Sequence, residues 1–474
     1  MSLSESLLDI AVAGIASLPV KQFVEDVAIQ VNYPFIDEIF HYPQFKKIFR
    51  GDYKSWNPKI TTPPGLYYLT LIYTKIFKIE CTLENMRFFN YIGGLFLIAM
   101  IILIRLKSQN PGFTTAAIFL NPLLSVFYSL FYTDVWASAI VVAAYAVIVY
   151  KPFGNYFLTS VLSASIGLIS LTFRQTNIIW CVFLLAALID SKVKDEDLYK
   201  YEEGIEDPLT FIKTAFKNIV ICIPYIIVGL IFVGFVYMNG GIALGDKENH
   251  ILVPHLAQLC YCMTFIAVFT APLWFSFSIF FDYLDDNFFC INGLVFNLAW
   301  IPSLFIFIQS FTIIHPFILA DNRHFTFYIV RNFIIRTETS KYELLPIYHF
   351  SFYIVHKIFM QNCNVVKGKN NNFKRTAASP IMYYIYMICT FGVVCLSPLF
   401  EPRYYILPYI FFRLFTRPND QPVIEFWLLK IHNTKIRYIG EILWLWFWTQ
   451  ALYLVFLQFT FEWENIAELQ RVIW

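Results

Sequence analysis

The sequence predicts an all-α polytopic membrane protein. Of its 474 residues 58% are hydrophobic and only 14% are charged, whereas a soluble domain carries roughly 25% charged residues. Mean hydropathy is +0.58, and apolar runs of the ~20 residues needed to cross hydrocarbon recur along the chain. A net charge of +2 and a pI near 7.9 leave no basic excess of the kind that binds nucleic acid, so that partner class is excluded and membrane lipid is implied. The cysteines lie mostly singly in apolar runs (Cys181, Cys222, Cys290, Cys395) with no CxxC spacing, so they read as small apolar core residues.

Taken in order, Leu7–Val20 is a short first span or signal anchor rather than a cleaved signal peptide, because the N-terminus has Glu5 and Asp9 and no basic leader. It opens residues 1–22. Residues 23–86 form a long polar loop, in which Pro64–Ile79 fits either a span or an amphipathic surface helix. The surface is the choice that puts most basic residues on one side. A central bundle, 87–324, holds Phe88–Ile104, Phe113–Phe131, Val135–Tyr150, Tyr156–Phe173, Asn177–Ile189, Asn218–Met238, Leu256–Phe281 and Phe288–Phe311. A C-terminal bundle, 325–474, holds Ile381–Phe400, Tyr405–Phe412 and Ile442–Phe461, with one further span after Phe325. The length rule gives about 13 spans. Between Phe325 and Met360, Arg331, Arg336, Lys341 and Glu343 interrupt the pattern and leave helix ends unplaced.

With that count, Arg105, Lys107, Lys151, the mixed-charge 191–217 connector, the Lys367–Arg375 run and Arg413–Arg437 share the cytosolic side, as the positive-inside rule asks. The opposite side receives the first loop with FYTDVW (131–136), FRQTN (173–177), GDKENH (245–250), HPFILADNRH (315–324) and FEPRYYILP (400–408). Each of the last four carries a single basic residue, Arg174, Lys247, Arg323 or Arg403. One cation solubilises a loop poorly but holds an anion well.

Transfer of a sugar from a phosphate needs a carboxylate to take the proton of the incoming hydroxyl and cations to hold the departing phosphate. In YPFIDEIFH, Asp37 and His41 are four apart and share a face of the short helix expected there, with Glu38 rotated away. Asp37 is therefore the candidate base, and Glu38 a helper in acceptor binding or metal capture. An interfacial acidic pair without a catalytic task is the plainer reading of the same dipeptide. Trp56 either stacks on a sugar ring or serves as a belt tryptophan. For the phosphate the candidates are Arg403, Arg323 with His324, Lys247 with His250, and Arg174; Arg403 comes first, because its planar fork suits a bidentate contact. It also has Glu401 as a ready partner. Asp321 and Asn322 join Arg323 and His324 in a dense polar run that either meets sugar hydroxyls or satisfies itself. Nucleotide, zinc-hydrolase and serine-hydrolase signatures are missing, and no metal set or cofactor is expected.

YPFIDEIFH, WNPKITTPPGLY, the GDK segment, HPFILADNRHFTFY and LFEPRYYILP, in that order from Tyr33 to Pro408, resemble the endoplasmic-reticulum alpha-1,2-glucosyltransferases that add the last glucose to the dolichol-linked oligosaccharide. The resemblance implies a type C glycosyltransferase (GT-C) architecture in the endoplasmic reticulum membrane, with the active site on the lumenal face. It also implies dolichyl-phosphate glucose as donor, the diglucosylated oligosaccharide on dolichyl diphosphate as acceptor, and Asp37 at the position of the base. Two rivals remain at this stage. One is another dolichyl-phosphate-sugar transferase, such as a protein O-mannosyltransferase. The other is a channel-associated or transport protein, which predicts charges buried within spans rather than gathered at their ends on one face.

Overall fold

A computed structural model describes the chain except residues 1–2, 109–112, 197, 200–205, 364–365, 368–372, 375–377, 419–423, 427–428, 432–433 and 464–465. The Lys367–Arg375 run, the 191–217 connector and Arg413–Arg437 thus lie partly outside the described residues. Two compact units form, each from three stretches of chain: 1–110, 124–250 and 365–389 in the first, 111–123, 251–364 and 390–474 in the second.

The first unit opens with α1 (Leu3–Gln30), longer than the expected Leu7–Val20 and carried past residue 22. Lys21, Glu25 and Asp26 do not stop it. Lys21 pairs with Glu25 at 3.0 Å and Gln22 with Asp26 at 3.0 Å, each one helical turn apart on the outer face. Next come α2 (Glu38–Phe49), α3 (Gly65–Phe77) and α4 (Leu83–Ser108). With 13 residues α3 is about 20 Å long. It buries Leu66, Tyr67, Thr70, Leu71 and Thr74 and exposes Tyr68, Ile72, Ile76 and Phe77. Helices Asp134–Tyr150, Tyr156–Leu171, Asn177–Asp195 and Ile219–Asn239 complete the bundle. α4 meets Asp134–Tyr150 at close range: a Cβ on Gly93 would stand 2.8 Å from the Trp136 ring.

In the second unit, proline and local capping break two expected spans. Phe113–Phe131 divides into Thr114–Phe119 and Pro122–Phe127, where Pro122 has no N–H to give and Asn121 accepts from the Leu123 amide at 2.9 Å. Its second half falls in the first unit from Leu124 onward. Leu256–Phe281 divides into Ala257–Phe269, Ala271–Trp274 and Phe277–Leu284, the last capped by the Ser276 hydroxyl accepting from the Ile279 amide. The unplaced 325–360 stretch is Phe325–Ile329, a wide turn Val330–Ile334, Ser340–Glu343 and Leu345–Cys363. Ile291–Ser310, Ile406–Phe415 and Thr434–Gln458 are continuous helices. Strands Thr460–Trp463 and Ile466–Arg471 pair as an antiparallel hairpin that the apolar pattern gave no reason to expect.

Among the described residues five helices are long and apolar enough to cross a membrane: Leu7–Gln30, Leu83–Lys107, Ile219–Asn239, Ile291–Ser310 and Thr434–Gln458. Several shorter apolar helices accompany them. Charge is not confined to one face of the spans. Asp9 of α1 pairs with Arg105 of α4, and Arg413 grips Glu441 through Nε and Nη2 at 2.5 and 2.7 Å, with these four side chains almost wholly buried. These are closed pairs near helix ends.

Candidate active site

After α1 the chain turns sharply through Phe35, Ile36 and Asp37. Ile36 is buried and lies in the left-handed region at φ +47, where a β-branched residue is strained by about 1–3 kcal/mol. The turn delivers Asp37 to the N-cap of α2, half-buried, with its amide donating to the Tyr132 hydroxyl at 3.0 Å.

Next to it, His41 is buried, and its Nδ1 lies 2.7 Å from the Tyr67 hydroxyl of α3. Tyr132 flanks the imidazole at 6.1 Å between ring centroids, and Trp56 sets its edge on Tyr67 at 5.9 Å. Burial, and behind it the Asp37 charge, pushes the Tyr67 phenol far above its ordinary value. A phenol held neutral can donate to Nδ1 or accept from it, according to the imidazole tautomer. The Trp56 indole N–H is buried without an acceptor among the described residues.

The two adjacent acids have opposite environments. Glu38 is 0% exposed. It receives Arg87 Nε and Nη2 at 2.9 and 2.5 Å, and the amides of Phe35 and Phe131 at 2.9 and 2.7 Å. A carboxylate enclosed in this way does not fit the expected helper in acceptor binding or metal capture; it anchors the loop. Arg87, Tyr67, Tyr132 and Asn90 are the residues that sequence reasoning passed over. Arg87 stood just outside the Phe88–Ile104 window, 49 positions from Glu38, and nothing in the sequence pattern announced the pairing.

Loops expected on one side are fastened to the 58–65 stretch of the first loop. Gln175 Nε2 donates to the carbonyls of Thr61 and Ile242 at 2.7 and 3.1 Å, and the Gly65 amide to Thr172 at 2.8 Å. The amides of Leu244 and Asp246 donate to Thr61 and Pro58, each at 3.0 Å. At Gly245 any Cβ would fall 2.0 Å from the Pro58 oxygen, so only glycine fits the seam. Arg174 pairs with buried Asp134 at 2.7 Å, tying FRQTN to FYTDVW. Lys247 is exposed and donates to the Asn239 carbonyl, and His250 Nδ1 lies 2.9 Å from the Asp246 carbonyl.

The other candidates belong to the second unit. Arg323 wraps Asp321, with its amide and Nε on Oδ1 at 2.9 Å each and Nη2 on Oδ2 at 2.7 Å. Its guanidinium lies 4.4 Å over the Trp463 ring, and Nη1 donates to Gln470 at 3.1 Å. Burial raises the Asp321 carboxyl, but the Arg323 hydrogen bonds and the His324 and Arg323 charges outweigh it and hold the group below its usual range. His324 Nδ1 lies 3.0 Å from the Trp474 carbonyl, and Asn322 Oδ1 is buried without a donor among the described residues. Arg403 pairs with Glu401 through Nε and Nη2 at 2.9 and 2.6 Å, the simpler of its two expected partners.

Residues 31–414 match the model of the DIE2/ALG10 family. The chain belongs to that family. A yeast relative from Debaryomyces hansenii is 36% identical over 94% of this chain and 95% of its own length. One from Kluyveromyces lactis is 36% identical over 93% and 84%. A human relative is 30% identical over 93% of each chain. All three carry the name Dol-P-Glc:Glc(2)Man(9)GlcNAc(2)-PP-Dol alpha-1,2-glucosyltransferase. No solved structure matches the chain. The family match spans the Asp37 turn, the loops fastened to residues 58–65, and the Asp321–His324 and Arg403 segments.

Proposed function

We propose that this chain transfers glucose, with inversion, from dolichyl-phosphate glucose to the terminal glucose of the diglucosylated dolichyl-diphosphate oligosaccharide, forming the alpha-1,2 link. The names of relatives aligned over nearly the whole chain carry the reading of substrate and linkage. The alternative acceptors and the channel-associated role have no comparable support. With the function goes a type C architecture of about 13 spans, to which the shorter apolar helices contribute beside the five long ones. A lumenal active site in the endoplasmic reticulum is part of the same reading.

Asp37 acts as base. As the acceptor hydroxyl attacks the anomeric carbon, its proton passes to the Asp37 carboxylate while the bond from that carbon to the phosphate oxygen breaks. Dolichyl phosphate leaves with the electron pair. A half-buried carboxylate at a rigid turn suits this task, since proximity and fixed orientation supply much of the rate. His41 and Tyr67 line the acceptor side, and the unpartnered Trp56 indole N–H is a donor for a sugar hydroxyl. For the leaving phosphate the reading assigns Lys247, whose ammonium is exposed and held by a carbonyl rather than a carboxylate. Arg403, Arg323 and His324 are proposed as donor contacts and Asp321 and Asn322 as sugar contacts, and the paired arginines must exchange a carboxylate for phosphate to serve.

The test is glucose transfer by purified protein in detergent with synthetic donor and acceptor. Asp37→Asn is expected to lose about 10²- to 10⁴-fold in kcat while still binding donor. No transfer by the wild-type protein would sink the function. A fully active Asp37→Asn would move the base elsewhere.

A further inference from the structure

Arg87 lies in the second turn of α4 and is 1% exposed. Its fork on Glu38 uses Nε and Nη2, and the remaining hydrogens reach backward along the chain. Nη1 donates to the carbonyls of Val31 and Val27 at 2.5 and 3.4 Å, and Nη2 to that of Tyr33 at 2.9 Å. One side chain therefore grips the backbone before Ile36 and the carboxylate after Asp37. Between those grips sits the left-handed turn at Ile36, a conformation that persists only where its surroundings over-determine it.

Three residues along the same helix, Asn90 Nδ2 donates to the carbonyls of Leu130 and Tyr132 at 2.5 and 2.7 Å. Tyr132 is the residue whose hydroxyl accepts from the Asp37 amide. A single stripe of α4 thus pins both segments that bracket Asp37. An ion pair buried only for stability is replaceable by packed apolar groups; this one spends its hydrogens on the geometry of one turn.

We infer that Arg87 is a positioning residue for the transfer reaction, bridging the strained turn and so fixing where the Asp37 carboxylate stands. The inference rests on Asp37 being the base. Misplacement of a reacting group by an ångström costs about 10²-fold.

Arg87→Lys keeps the charge and loses the fork. Its kcat is expected to fall about 10- to 100-fold, with KM for both substrates within about twofold of wild type and no further loss when it is added to Asp37→Asn. Losses that multiply instead would assign Arg87 to general folding and overturn the inference. Ile36→Gly, for which the left-handed turn carries no strain, should restore part of the kcat in the Arg87→Lys background; no restoration also overturns it. Should Arg87→Lys fail to fold, the milder Asn90→Ala is read by the same KM and kcat criteria. Wild-type kcat in Arg87→Lys with Asp37→Asn inactive defeats the inference alone, whereas an active Asp37→Asn defeats the base assignment with it.

Discussion

Adjacent residues with the same charged group differ in burial: Glu38 is enclosed by an arginine and two amides, whereas Asp37 at the N-cap of α2 is half-buried. Removing one partner of a buried ion pair strands the other, at about 3–5 kcal/mol. Glu38→Gln should therefore lower the thermal midpoint in detergent by more than Asp37→Asn, whose side chain is only half-buried. Differential scanning fluorimetry of the two variants checks this; equal midpoints would contradict the division. The i to i+4 spacing of Asp37 and His41 was readable from the chain, and so was the rotation of Glu38 away from them. What lay beyond reach was the partner, because Arg87 is 49 positions from Glu38 and no local pattern announces such a pairing. Arg403 and Arg323 were legible as single cations in short loops. Their neutralisation by Glu401 and Asp321, two residues away in each case, was an alternative the sequence left open.

At the level of elements, seams between loops matter as much as helices. Gly245→Ala forces its new Cβ against the Pro58 carbonyl, backbone that cannot swing aside as a side chain can. Overpacking of this kind costs about 1–3 kcal/mol; a lower thermal midpoint together with reduced transfer is the expected result. The Asp321 knot with the C-terminal hairpin responds to acid in a defined direction. The folded carboxyl lies below its ordinary 3.8, so its stabilising contribution is present above that value and disappears as pH falls through the lower folded one. Trp463 fluorescence in a background lacking the other indoles nearby should accordingly hold steady from pH 7 to about 4 and change only in stronger acid. A transition well above about pH 4 would contradict the assignment to Asp321. Element existence was mostly legible, α3 included, because its apolar residues repeat at helical spacing on two faces. Breaks were less so: Pro122 and Pro272 stood in plain view, but a proline within an apolar window is as compatible with a kink as with a break.

For the molecule as a whole, the arrangement of charges makes a claim about sidedness. A cysteine at exposed Lys213 should react with a membrane-impermeant thiol reagent in sealed vesicles derived from the endoplasmic reticulum, while one at Lys247 should react only after permeabilisation. Labelling of both before permeabilisation would refute the orientation. Composition declared the membrane class, and the motifs declared the family, yet the grouping of helices into two units was invisible because it depends on contacts between stretches hundreds of residues apart. That grouping bears on biogenesis. The short helix Thr114–Phe119 packs within the second unit, against Ile406–Phe415 and Thr434–Gln458, and the Thr449 hydroxyl donates to the Leu120 carbonyl at 3.1 Å. Ribosomes add about 5–20 residues per second, so this segment waits on the order of tens of seconds after its own synthesis for its neighbours to emerge. During that interval its polar backbone ends lack the partners that the finished unit supplies, so this segment docks late although it is made early.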